Sequence, residues 1–198
     1  INPSLANLLN LLGFNKRFIR AKGTKVWDEN ETEYIDFLGA YGALNIGHNN
    51  EVIKTKMEKV VNLPNLLQIA INPIATVLAK NLAAITPGDL KHTFFCNSGA
   101  EAVEGALKLA KIATGKSRII YCEGSFHGKS MGALSVTGRN KYKKYFSPLV
   151  PLAEEVPYGD IFALLDTLQN FDDIAAFIVE PIQGEGGIIV PPKGYLSA

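Results

Sequence analysis

Three times the chain runs a short apolar segment straight into a polar, Gly-rich loop: 93–96 into 97–101, 118–122 into 123–130, and 174–180 into 180–187. Apolar runs of that length, bounded by turn residues, read as buried strands. Helical spacing fills the intervals. Val103, Leu107 and Ala110 recur after Gly99, and 159–169 also reads as a helix. Strand, loop and helix in repetition predict an α/β fold with a mostly parallel sheet and helices on its faces. In open sheets of this kind ligands gather at the carboxyl ends of the strands. All three loops stand at such ends, so they are expected to open onto one crevice.

The first loop carries the sharpest local signal. Ser98 precedes Glu101 by three residues, the capping-box spacing of a helix N-terminus. A strand turning through small residues into a helix aims backbone N–H groups, and the positive end of the helix dipole, at one spot. That spot suits a phosphate, although a capped turn that binds nothing has the same spelling.

Other nucleotide-binding signatures fail. The loop 124–130 ends in Gly-Lys-Ser, but Glu123 stands where a P-loop needs glycine, and Ala110 spoils the second Gly-Lys-Ser at 115–117. No G-x-G-x-x-G follows a strand. What the second loop does display is Phe126 between glycines, beside His127, which reads either as packing under the loop or as a stacking surface for a flat ring. The third loop holds Glu180 and Glu185. Paired carboxylates suggest glycoside hydrolysis, a chemistry with no use for a phosphate turn; solvated carboxylates on a turn are the plainer reading.

Upstream, 4–12 reads as a helix with Ser4 as cap and Gly13 as terminator, and 17–38 as a hairpin or meander turning at 28–31. A Gly- and Asn-rich loop, 39–50, contains Tyr41 and His48; helices are expected over 50–61 and 74–85. The run 60–79 lacks charge but is broken by Pro64 and Pro73 and carries several amides, so it does not read as a membrane span. With 20 basic and 19 acidic residues the balance gives no case for nucleic acid or a membrane surface. Lys141, Lys143 and Lys144 read as a solvated loop. Cys96 and Cys122 both end apolar runs and are expected as buried free thiols in a cytoplasmic setting. His48, His92 and His127 lack metal-ligand spacing, so no metal site is expected.

Taken together, the segments closely resemble the class III aminotransferases, pyridoxal-phosphate enzymes of the aspartate aminotransferase fold. The resemblance runs along essentially the whole chain, through YIDF at 34–37, GHN at 47–49, TPG at 86–88, FFCNSGAEAVEGALKLAK from 94, SFHGKSMGALSVTG from 125 and VEPIQGEGGIIVPPKGYL from 179. The wording of FFCNSG and FHGKSMGALS is most similar to putrescine aminotransferases, with ornithine and acetylornithine enzymes close behind.

The resemblance implies roles. Ser98, Gly99 and Ala100 would hold the cofactor phosphate, Phe126 would stack on the pyridine ring with His127 beside it, and Glu180 and Gln183 would lie near the cofactor. Tyr41 and Gly42 would line the substrate pocket. Glu185 would pair with a substrate-binding arginine and gate the two half-reactions. Lys129 stands where ornithine enzymes carry an arginine for the donor carboxylate, which favours a diamine or other ω-amine donor; a lysine still binds a carboxylate as a point charge. Residues 1–45 would contribute to a small domain and 46–198 would form the N-terminal part of the large, cofactor-binding domain. The Schiff-base lysine and the aspartate on the pyridine nitrogen are expected beyond Ala198, so the chain alone is expected to be inactive. The resemblance further implies a keto-acid acceptor such as 2-oxoglutarate and a homodimer. A reading of another class is a partial chain acting as a binding or assembly module.

Overall fold

The structure, a computed structural model, describes residues 2–64 and 71–198. Two compact units are present, Ile1–Asn72 and Pro73–Ala198. Part of the uncharged run at 60–79 lies outside the described residues; among those described, no helix is long and apolar enough to cross a membrane.

The first unit begins with helix α1, Pro3–Leu11. Its cap is Asn2, whose side-chain oxygen accepts from Ser4 N at 3.0 Å, and not Ser4 itself. Pro3 explains the shift: proline is at home in the first turn, where its missing N–H costs nothing. Gly13 follows at φ +72° and ends the helix. Strands β1 (Phe18–Lys22), β2 (Lys25–Asp28) and β3 (Glu33–Ile35) pair antiparallel in that order. The buried Asp28 builds the turn between β2 and β3. Its Oδ1 accepts from Asn30 N and Thr32 N, both at 3.0 Å, and its Oδ2 from Tyr34 OH at 2.9 Å. Beyond β3, the short turn α2 (Gly39–Gly42) is left-handed throughout, Ala40 and Tyr41 included. Asp36 holds it, accepting from Leu38 N and Gly39 N and meeting His48 Nε2 at 2.7 Å. Helix α3, Glu51–Glu58, is capped by Asn50.

In the second unit, helix α4 (Pro73–Ile85) leads towards α5 (Gly99–Thr114), which ends on Gly115 at φ +68°. Strand β4 (Arg118–Cys122) follows, then the short helices α6 (Met131–Ser135) and α7 (Asn140–Lys143), strand β5 (Ala153–Val156), helix α8 (Ile161–Asn170) and strand β6 (Ile174–Ile178). The three strands form a parallel sheet in the order β5-β4-β6. With β4 central, both its faces are enclosed. Ile120 and Cys122 pack with Val156 and Leu164 of α8 on one side; Ile119 and Tyr121 pack with Val136, Val103 and Leu107 on the other. Arg118 ties the sheet's lower end, pairing with Glu154 and with Asp173 (2.7 Å) while its guanidinium lies 3.8 Å from the Phe171 ring.

Several expectations need correction. Residues 93–96 form no strand: they have no ladder partner among the described residues, and Phe94 and Phe95 are exposed. Cys96 is therefore exposed, and only Cys122 is buried. The lysine-rich segment is not a solvated loop, because Lys143 Nζ turns inward to Tyr121 OH (2.9 Å) and Ser135 O (3.1 Å).

Candidate functional site

Of the three polar loops of the second unit, 123–130 meets both 97–101 and 180–187. The cap of α5 is as its spelling predicts: Ser98 Oγ accepts from Glu101 N at 3.2 Å, and Glu101 Oε2 reaches back to Asn97 N at 2.6 Å. Ser98 uses its oxygen as acceptor there, which leaves its O–H free to donate. The amides of Gly99 and Ala100 open the helix and make no hydrogen bond among the described residues.

Loop 123–130 lies against this turn. A Cβ on Gly128, which sits at φ +129°, would come 2.8 Å from Ala100 Cβ, so only glycine lets the loop approach so closely. Thr137, fully buried, fixes the same loop by accepting from His127 N at 3.0 Å. Glu104, one turn into α5, holds the segment that follows: its Oε1 accepts from Ser130 Oγ (2.6 Å), Gly132 N (2.8 Å) and Ala133 N (3.0 Å). Burial works against the Glu104 carboxylate, but these bonds and Lys108 outweigh it and keep its pKa below the ordinary value.

Glu180 joins the second loop to the third. Its Oε1 accepts from Phe126 N at 2.8 Å and its Oε2 from Gly184 N at 3.1 Å. Gln183, buried, donates to Glu123 O at 2.7 Å. Phe126 is thereby held by its backbone, and its ring meets Tyr142 edge-on at 5.7 Å. His127 is buried enough that its pKa falls below the ordinary value, with Glu180 opposing the shift. Its Nε2 is buried with no hydrogen-bond partner. An unpaired buried ring nitrogen is costly.

At the tip of the third loop, Glu185 Oε1 receives Tyr142 OH at 2.6 Å and Lys141 Nζ at 3.1 Å, with Arg139 at 3.8 Å. The Tyr142 and Lys141 bonds hold its pKa below the usual carboxylate range. Lys129 Nζ lies 4.6 Å from the Tyr142 ring centroid and 5.9 Å from that of Phe126.

An organic phosphate carrying a flat ring matches this arrangement chemically: free amides at a helix start, a held aromatic side chain, and an unpaired imidazole nitrogen. The sequence pattern of the family described as "Aminotransferase class-III" matches residues 14–198. The chain belongs to the class III aminotransferase family. It is 45% identical to aminotransferase PigE of Serratia sp. over 99% of its own length and 23% of that protein's. Among solved structures it is similar to an ornithine aminotransferase from Toxoplasma gondii whose active site holds PLP at partial occupancy (32% identity, TM-score 0.83, covering 92% of this chain and 44% of that one). It also resembles a taurine:2-oxoglutarate aminotransferase from Bifidobacterium kashiwanohense in complex with PLP and glutamate (25% identity, TM-score 0.84, covering 92% and 46%). The chain thus spans about a quarter of the curated relative and less than half of these two structures.

Of the residues singled out by sequence, Ser98, Gly99, Ala100, Phe126, His127, Lys129, Glu180, Gln183 and Glu185 all lie on the three converging loops. Tyr41 and Gly42 belong to the other unit, on its left-handed turn, with Tyr41 91% exposed. That unit has a cavity of about 790 Å³ walled by Phe14, Phe18, Tyr34 and Leu38, which shares no residue with the loops. Sequence reasoning missed Glu104, Thr137 and Tyr142. Glu104 follows Glu101 by three residues on α5, and Tyr142 is the one aromatic among the lysines at 141–144; neither spacing states a partner.

Proposed function

We propose that the converging loops form the phosphate- and ring-binding side of a pyridoxal 5'-phosphate site. The enzyme would move an amino group from a primary-amine donor of the putrescine type to a keto acid such as 2-oxoglutarate. The observation that carries this reading is a helix start with two free amides, against which the close approach of Gly128 to Ala100 brings the loop of Phe126. The amides suit an anionic end and the Phe126 ring a flat body. When bound, the cofactor supplies an electrophilic carbon and an electron sink for amino-group transfer.

The chain's own residues bind and orient. Gly99 and Ala100 amides and the Ser98 hydroxyl take the phosphate; Phe126 offers its ring as a platform, fixed by the Glu180 bond to its amide. Glu180 and Gln183 hold the second and third loops in register. Lys129 supports a donor without a carboxylate at that position; ornithine, acetylornithine and other ω-amino acids are the competing donors. Within the same proposal the protein is a cytoplasmic homodimer. The two free thiols and the exposed Phe94, Leu109 and Ile112 support that part.

The test uses the full-length protein loaded with pyridoxal phosphate. Putrescine is expected to bleach the cofactor's absorption band in a half-reaction, and 2-oxoglutarate to restore the band. Ser98→Ala is expected to weaken cofactor binding about tenfold, the loss of one charge-assisted hydrogen bond. Bleaching by ornithine but not by putrescine would exclude the diamine donor. Unchanged cofactor binding in Ser98→Ala would remove the phosphate assignment.

A further inference from the structure

Four consecutive residues of the first unit, Gly39, Ala40, Tyr41 and Gly42, have positive φ, at +51°, +51°, +56° and +87°. Glycine takes that conformation freely, but an alanine or a tyrosine in it is disfavoured about tenfold. Two such residues in succession need the structure around them to keep them there. Packing within the unit does not supply this, because Ala40, Tyr41 and Gly42 are all exposed.

A polar clamp on the N-terminal side of the turn does. Asp36 Oδ1 accepts from Leu38 N at 2.9 Å and Gly39 N at 3.0 Å, and its Oδ2 meets His48 Nε2 at 2.7 Å. The Gly39 amide and His48 hold the Asp36 carboxyl below its ordinary pKa. An ionised carboxylate only accepts, so Nε2 is the ring nitrogen that carries the proton. Both members of the clamp are anchored by their backbones to the turn between β1 and β2. Asp36 N donates to Thr24 O at 2.8 Å, while His48 N and O pair with Gly23 O and N at 2.8 and 2.9 Å. Gly47 permits the second contact, since a Cβ there would lie 2.8 Å from Gly23 O. A strained turn is thus fixed to the antiparallel sheet, and what it displays is the side chain of Tyr41.

We propose that Asp36 and His48 are positioning residues: they keep the 39–42 turn left-handed and so fix where Tyr41 stands for the amine donor. Without the His48 bond the Asp36 carboxylate is free to turn, the backbone relaxes to negative φ, and the tyrosine leaves its place. That Tyr41 meets the donor rests on the transamination reading above. That the pair holds the turn does not.

The full-length protein loaded with pyridoxal phosphate tests both parts. His48→Leu is expected to raise the KM for putrescine about tenfold, with kcat within about twofold and cofactor affinity unchanged. His48→Gln, whose side-chain N–H can still reach Asp36, should restore most of that loss. Tyr41→Ala should raise KM by a similar factor, and adding His48→Leu to it should change nothing more, because His48 acts through Tyr41. Ala40→Gly, which relieves the strained backbone, should recover part of the His48→Leu loss. Losses that add in the double variant, or that fall equally on kcat and cofactor uptake, would mean a general structural role and overturn the proposal. Crystal structures of the parent and of His48→Leu read the backbone without any turnover. Negative φ at Ala40 and Tyr41 is expected in the variant, and a turn still left-handed there also overturns the proposal. A turn that changes hand, in a protein whose cofactor no primary amine bleaches, sinks the transamination reading and leaves the clamp.

Discussion

Residues 93–96 and 118–122 are close to equivalent as strings. Each is a short apolar run ending in cysteine, and each leads into a polar loop containing glycine. One becomes β4, the enclosed centre of a parallel sheet, with Ile120 and Cys122 wholly buried. The other forms no strand, and Phe94 is 75% exposed. Neighbours make the difference. β4 has β5 and β6 on its two edges and side chains of α5 and α8 on its two faces. Residues 93–96 have no edge partner among the described residues. Phe94 merely rests its ring near Gly105 of α5. An apolar run therefore states what a segment requires, and the ladder on either side decides whether it is met.

Thiol chemistry breaks or upholds this contrast most sharply. Cys96 is exposed, whereas Cys122 is buried with its sulfur 3.7 Å from Tyr195 OH. Burial also pushes the Cys122 pKa up, and the thiolate is the reacting form. Cys122 must then wait for the sheet to open, so it should react about a thousandfold more slowly than Cys96, or slower still. Reaction of the 198-residue chain with a chromogenic disulfide is expected to show one fast and one slow equivalent. Two slow equivalents would mean that 93–96 is covered in solution, and the comparison would fall.

Packing gives the next largest separation. Ile120→Ala removes a fully buried side chain packed between the central strand and α8 and should cost about 2–5 kcal/mol. Phe94→Ala deletes a larger side chain, yet should cost under about 1 kcal/mol, because little apolar area returns to water. Urea denaturation of the three proteins reads both. Equal losses would show that Phe94 is packed as tightly as Ile120.

The contrast also marks where the sequence is legible. β4 and β6, the Ser98 cap and the αL stop at Gly115 follow from local spelling, since strand pattern, cap chemistry and positive φ act over a few residues. The convergence of the loops after β4 and β6 follows from topology, because parallel strands place their carboxyl ends on one edge; the turn at 97–101 follows no strand and is met by the close approach of Gly128 to Ala100. Helix α6 had no visible signal: Gly132, Ala133, Leu134 and Ser135 are all buried, so no polar face alternates with an apolar one. Residues 93–96 were misread because pairing is not a local property. The ties that fix the site were hidden for the same reason. Glu104 reaches Gly132 across 28 residues, and Tyr142 reaches Glu185 across 43, and no spacing rule joins such pairs.

The smallest expected effect tests how differently the segment after β4 and the turn after 93–96 are held. That turn is fixed by its own cap, whereas the later segment is anchored from a separate helix by Glu104, which accepts three hydrogen bonds through one oxygen. The folded pKa of Glu104 lies below the ordinary value of 4.5, so the anchor is fully present above that pH and is lost as pH falls through the lower folded value. Glu104→Gln keeps a carbonyl acceptor but not the charge, and should cost about 0.5–1.5 kcal/mol at neutral pH. Below the folded pKa the parent carboxyl is itself neutral, so the two proteins should converge in stability. Urea midpoints measured at pH 7 and pH 3 settle the matter. A gap that persists undiminished in acid would show that the Glu104 charge does not anchor α6, and that the loop after β4 is fixed by packing alone.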